Sequence, residues 1–282
     1  MTDLDWMRLA LRLARKGYGH TSPNPMVGAL VVRHNQLLGR GWHHRAGAPH
    51  AEIEALSDAR RHGHKPAGAT LYVTLEPCST QGRTPPCTEA IRAAGIRQVV
   101  VGSADPNPNH AGRGLDLLRR TGIAVSSGIL EPECAALNEA FNHWIVQRTP
   151  FVTVKAAMTL DGKIATAAGQ SKWITGKRAR AHAQRLRQGH DAILVGIETL
   201  LADDPQLTLR PANAHPTQAT PPRHQIRRRI ILDSRARTPL QSQVVANDPL
   251  RATTIVVGPN ASARRVNALA KQVHVLLAPA VH

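Results

Sequence analysis

The feature that most constrains this chain is a set of metal-competent side chains held far apart in sequence. Pro49-His50-Ala51-Glu52 is followed by Glu76-Pro77-Cys78 and later by Pro86-Cys87, so an imidazole and two thiols must be brought to one point by three separate segments. One neutral imidazole with two thiolates is a usual donor set for zinc, and three protein ligands leave the fourth position to water. The segments alternate in type. Apolar positions Trp6, Met7, Leu9, Ala10, Leu13 and Ala14 recur at helical spacing over residues 4–16, and helices are also predicted over 51–62 and 88–94. Between them, residues 27–32, 70–75 and 98–101 are short apolar runs, which predict buried strands. Strand and helix alternating at this pace predict βαβ units, a mainly parallel sheet and helices on both faces, in a three-layer α/β/α domain.

A helix predicted over 131–144 closes this unit, and Arg148-Thr149-Pro150 reads as a linker because proline disfavours helix in the residue before it. The expected domains are therefore 1–147 and 148–282. The second is also α/β, with strands predicted over 151–157, 192–195, 229–232, 253–257 and 273–277 and a helix over 177–188. Residues 211–225, a run of Pro, Ala, Thr and His without periodicity, read as a surface loop. A chain of 282 residues at 42% hydrophobic content can bury two modest cores. The three cysteines are an odd number and no apolar run is long enough for a signal sequence or a membrane span, so a reducing cytoplasmic compartment without disulfides is expected. The formal charge of +17 suits a nucleic acid, a phosphorylated small molecule or simply solvated arginine-rich helix faces, but at 3% aromatic content base stacking has few candidates.

Water on a cation held by three protein ligands ionises near neutral pH and so supplies a nucleophile. Hydrolytic deamination needs that nucleophile, together with a group that takes the water's proton and passes it to the ring nitrogen and the departing amine. Glu52, two residues from His50, can reach the same water without being a ligand. His-x-Glu with Pro-Cys-x-x-Cys marks the zinc nucleobase deaminases; here eight residues, not two, lie between the cysteines. A purely structural zinc site would recruit a fourth protein ligand, for which His43, His44, His62 and His64 are candidates, but it leaves Glu52 without a task. Cys134 shares a helical register with Leu137 and Phe141 and is assigned to core packing. Gly112-Arg113-Gly114 lacks the third glycine and the preceding strand of a dinucleotide fingerprint, and reads as a turn before a helix over 115–120.

Four motifs then resemble, in order, the bifunctional deaminase and reductase family of bacterial riboflavin biosynthesis. They are Ser22-Pro23-Asn24-Pro25-Met26-Val27-Gly28, Gly41-Trp42-His43-His44-Arg45-Ala46-Gly47, Pro49-His50-Ala51-Glu52, and the lengthened loop from Glu76-Pro77-Cys78 through Gly82-Arg83-Thr84-Pro85-Pro86-Cys87. The resemblance implies a cytidine-deaminase-like first domain that removes an amino group from a diamino-hydroxy-pyrimidine carrying phosphoribosylamine. Zinc would be held by His50, Cys78 and Cys87, and Glu52 would move the protons. The resemblance also places Asn24 and His43 along the pyrimidine pocket, and Arg83 at the substrate phosphate, which a guanidinium suits through paired hydrogen bonds.

In the second domain, Val154-Lys155-Ala156-Ala157-Met158-Thr159-Leu160-Asp161-Gly162-Lys163 resembles the opening of that family's reductase, whose sheet is dihydrofolate-reductase-like. The family usually has serine where Thr159 stands; a hydroxyl is kept either way. The implied reaction is NADPH reduction of the ribosyl group to ribityl. Ala157, Trp173, Thr199, Asp203 and Ser234 are implied NADPH contacts, and Ser171, Arg187, Leu207 and Arg210 implied contacts to the phosphoribosyl substrate. The family's glycine-rich loop for the cofactor diphosphate is not found before His282, so this α/β domain is expected to be incomplete and its turnover impaired. The expected partner is a small phosphorylated pyrimidine, with neither nucleic acid nor membrane, and homo-oligomerisation is left open. Two alternatives stand beside this reading: a deaminase of adenosine in transfer RNA or of another nucleobase, and a zinc-stabilised nucleic-acid-binding module.

Overall fold

Helix α1 (Asp3–Ala14) is started by a capping box in which the Thr2 hydroxyl accepts from Asp5 N–H and the Asp5 carboxylate accepts from Thr2 N–H. Its buried stripe of Trp6, Met7, Ala10, Leu11 and Leu13 packs on Leu30, Val32, Tyr72 and Val100 of a five-stranded sheet. That sheet is ordered β2-β1-β3-β4-β5 and is built from β1 (Gly28–Arg33), β2 (Gln36–Trp42), β3 (Thr70–Leu75), β4 (Gln98–Ser103) and β5 (Ala124–Ser127). Its other face, through Ala29, Val31, Leu71, Val73, Val99 and Val101, is covered by α2 (Ala51–Arg61), α3 (Cys87–Ala93) and α4 (Arg113–Arg120). The result is the expected three layers. The computed structural model describes residues 1–81, 85–108, 110–209, 227–248 and 250–279.

The sheet is less parallel than the sequence predicts. β3, β4 and β5 are parallel, but β1 runs antiparallel to both β2 and β3. Strand β2 escapes the sequence reading for two reasons. Its hairpin turn is His34-Asn35, with φ of 50° and 58° at the two residues, a left-handed pair usually signalled by Asn-Gly. The strand itself carries Gly39 and Gly41, residues normally depleted in strands. Both are there because α2 lies on them: a Cβ on Gly41 would stand 2.4 Å from Ala55 N and 2.5 Å from Ala51 O. Gly41→Ala is expected to force the N-terminal turn of α2 off the sheet and to destabilise the first unit by about 2–3 kcal/mol, read as a lower denaturant midpoint at an unchanged m-value.

The closing helix predicted over 131–144 is two helices, α5 (Glu131–Leu137) and α6 (Glu139–Gln147), broken at Asn138. Cys134 of α5 is buried against the α1 face, as core packing requires. The chain divides into two units, Met1–Lys155 and Ala156–His282. Residues 148–155 stay with the first because His143 of α6 stacks edge-on to Phe151 and bonds the Thr149 hydroxyl at 2.9 Å.

In the second unit, α7 (Lys177–Gln188) and α8 (Ile197–Asp203) flank β6 (Ala192–Gly196) in the chain. β7 (Arg228–Leu232), α9 (Gln243–Ala246), β8 (Thr253–Val257), α10 (Ala263–Ala270) and β9 (His274–Leu277) follow. The four strands are parallel in the order β6-β7-β8-β9, over a core that includes Ile197, Leu200, Ile231, Val244, Val245, Ile255 and Leu269. A buried ion pair, Arg229 to Asp248 at 2.8 Å, ties β7 to the start of β8, where Asp248 also accepts from Ala252 and Thr253 N–H. The strand predicted over 151–157 does not form: Val152 and Val154 are 77% and 87% exposed and pair with no neighbour among the described residues. The predicted loop at 211–225 lies outside the described residues.

Candidate active site

Three element ends meet beyond the C-terminal end of β3, the central strand of the first sheet. His50 is the N-cap of α2, Cys78 follows the C-terminal end of β3, and Cys87 is the first residue of α3. Their ligand atoms all lie within 4.8 Å of one another. His50 Nδ1 is 3.3 Å from Cys87 Sγ and 3.6 Å from Cys78 Sγ. Ligands 2.0–2.3 Å from one tetrahedral cation stand roughly 3.5 Å apart, so this donor set and its spacing fit zinc. The electrostatics point the same way. Cys87 N–H donates to Cys78 Sγ at 3.3 Å, and the Cys78 thiol is drawn well below its usual range, first by the hydrogen bond from the Cys87 thiol and then by His50. His50 is raised, chiefly by its hydrogen bond with Cys78.

Glu52 sits in the first turn of α2 at 3% exposure. Burial pushes its carboxyl up to about 7, against the opposing pull of His50 and, more weakly, of the Cys87 thiol. A carboxyl group thus faces the cluster from inside the protein. His43, 2% exposed, stands edge-on to His50 with ring centroids 5.4 Å apart. Its Nδ1 is 3.0 Å from Pro49 O, which can only accept, so Nδ1 carries the proton and Nε2 accepts from Asn24 Nδ2 at 3.1 Å. Burial holds this imidazole below its ordinary value, in agreement with a neutral ring. Asn24, His43, His50, Glu52, Cys78 and Cys87 therefore converge, whereas Arg83 lies outside the described residues.

Two residues that hold this arrangement carry no role in the sequence reading. Asn138 donates to Met26 O at 2.9 Å and accepts from Met26 N–H at 2.8 Å, pinning the loop that bears Asn24. Glu76 is buried beside Cys78. The signal available for both was a polar residue directly after an apolar one, Leu75 before Glu76 and Leu137 before Asn138, which by itself names no partner.

In the second unit three of the implied cofactor residues, Thr199, Asp203 and Ser234, lie in the segments that follow the C-terminal ends of β6 and β7, and ligands bind beyond such strand ends in open α/β sheets. Thr199 and Asp203 belong to α8, directly after β6, and Ser234 follows β7, its carbonyl accepting from Gly258 N–H after β8. Lys172 pairs with Asp203 at 2.7 Å, which brings Trp173 to that edge with Arg180 stacked over its ring. Arg187 donates to Thr208 O at 3.2 Å, beside the buried Leu207. Ser171 is exposed, Ala157 is half-buried, and Arg210 lies outside the described residues.

The cytidine and deoxycytidylate deaminase zinc-binding region matches residues 1–103, and the RibD C-terminal domain matches residues 150–282. The riboflavin biosynthesis protein RibD of Aquifex aeolicus is 47% identical over 275 residues, covering 98% of this chain and 73% of that protein. The chain belongs to the RibD family. RibD of Actinobacillus pleuropneumoniae is 47% identical over 245 residues, covering 87% of this chain and 62% of its own length. Among solved structures, Acinetobacter baumannii RibD superposes with a TM-score of 0.83 at 39% identity, over 99% of this chain and 74% of that one. A diaminohydroxyphosphoribosylaminopyrimidine deaminase/5-amino-6-(5-phosphoribosylamino)uracil reductase from Thermotoga maritima gives 0.80 at 36% identity, over 98% and 80%. RibD membership makes the first domain a zinc-binding deaminase domain and the second a RibD reductase domain, which uses NADPH. A transfer-RNA deaminase or a zinc-stabilised binding module leaves the match over 150–282 unexplained. No helix among the described residues is long and apolar enough to cross a membrane.

Proposed function

We propose that the first domain deaminates diaminohydroxyphosphoribosylaminopyrimidine and that the second reduces the resulting 5-amino-6-(5-phosphoribosylamino)uracil with NADPH. The observation that carries the first half is the buried Glu52 carboxyl set against the His50, Cys78 and Cys87 cluster. His50, Cys78 and Cys87 would hold zinc, which when bound supplies Lewis-acid activation of a water molecule. Glu52 would accept a proton from the attacking water and pass protons to the ring nitrogen and the departing amine, so that C–NH2 and H2O become C=O and NH3. The Asn24 and neutral His43 pair supplies directional polar contacts for the pyrimidine edge, and Pro49 O fixes the His43 tautomer. Three free cysteines suit a reducing compartment, in line with a cytoplasmic setting.

The test is ammonia release from the phosphoribosylamino-diaminopyrimidine by the zinc-loaded protein, with NADPH absorbance followed in the same sample. Ammonia formed without need of NADPH is the expected result, and none formed would sink the reading. In the same assay, Asn24→Ala is expected to raise KM by about tenfold or more, the worth of one well-placed polar contact, with zinc content unchanged. For the second domain, NADPH held at the Thr199, Asp203 and Ser234 edge is supported by its position at the strand ends, and loss of NADPH binding in Asp203→Ala is the matching readout.

A further inference from the structure

Helix α4 starts without a cap of its own, because its N-cap is Gly112, at φ 76°. The N–H groups of a helix start need acceptors, and a negative charge there is favoured by the aligned peptide dipoles. Glu76 supplies both from the end of β3. Its Oε2 accepts from Gly112 N–H at 3.0 Å and from Asp105 N–H at 3.1 Å, while its Oε1 accepts from Gly114 N–H at 2.9 Å. The side chain is 6% exposed, so water has little access to replace it. The start of α4 also presses on the residue between Glu76 and Cys78: a Cβ on Gly114 would stand 2.2 Å from Pro77 O. Parallel pairing runs right up to this point, since Leu75 pairs with Ser103 and Glu76 N–H donates to Ser103 O at 3.0 Å. Asp105 is held in a turn by accepting from Asn107 N–H. Its carboxyl is pushed up chiefly by burial, with the charge of Glu76 adding to the rise.

We propose that Glu76 is a positioning residue for deamination, its one carboxylate clamping the Cys78 turn, Asp105 and the start of α4 into a single rigid wall of the site. It acts through Cys78 and Asp105, and the inference rests on the deaminase reading above. Glutamine in its place keeps the volume but sets an amide N–H2 against N–H donors, so at least one of the three bonds is lost and the wall loosens.

The test compares wild type, Glu76→Gln and Glu76→Asp as full-length protein. The readouts are zinc content, the kcat and KM of ammonia release, and amide hydrogen exchange at residues 105, 112 and 114. Glu76→Gln is expected to keep its zinc, to raise KM about tenfold with kcat within about threefold, and to exchange those three amides faster. Glu76→Asp, which keeps the charge on a shorter arm, should fall between it and wild type. Faster exchange with KM unchanged makes Glu76 a structural cap only and overturns the proposal, as does exchange that does not change. If Glu76→Gln fails to fold, Glu76→Asp carries the same pair of readouts, with the same outcomes decisive. A wild-type protein that releases no ammonia overturns the deaminase reading itself, and that result is visible before any variant is compared.

Discussion

Glu52→Gln is expected to lower the rate of ammonia release by about 10²–10⁴-fold, the usual worth of a positioned general acid and base, while the protein keeps its fold and its zinc. Glutamine has nearly the volume of glutamate, so the 3% exposed site at the first turn of α2 loses no packing. What it loses is a group able to accept a proton and hand it on. Zinc should stay because the cluster that fits the cation is made by His50, Cys78 and Cys87. The measurement is initial rate at saturating substrate together with metal content. A variant retaining more than a tenth of wild-type turnover would remove Glu52 from proton transfer, while one that also lost its zinc would show the carboxylate to be a ligand.

Cys87→Ser is expected to lose zinc, ammonia release and stability together. Cys87 is fully buried, opens α3, and lies within reach of His50, Cys78 and Glu52. Serine has almost the same shape but a hydroxyl that stays protonated at neutral pH, so the cation keeps one thiolate and one imidazole. Changing a residue that merely orients a ligand costs roughly 10–100-fold in metal affinity; removing a ligand is expected to cost more. Because a metal that binds only the folded state stabilises it by about 4 kcal/mol at a free concentration a thousand times its Kd, the first thermal transition should fall accordingly. Stripping wild type with a chelator should lower that transition to a similar level, and serine variants that bind zinc as tightly as wild type would refute the ligand assignment.

The chemistry of the site was legible because donor identity is a local property. An imidazole, a carboxylate two residues on and two thiols after prolines can be read from the chain without coordinates, as can the helices around Trp6, Ala55 and Leu118 from their apolar spacing. The family motifs could be read in the same way. Three features came only with the tertiary structure. Strand β2 depends on a His34-Asn35 turn and on glycines whose purpose is visible only when α2 lies across them. Asn138 breaks a helix that periodicity joins, because its amide pairs with Met26 across 112 residues of chain. Glu76 gathers amides from Asp105, Gly112 and Gly114, none of which announces a need for it. The physical reason is the same in each case. A side chain's chemistry and its local periodicity are written in consecutive residues, but which buried polar group meets which, and where a helix presses on a sheet, is settled by packing among segments distant in sequence.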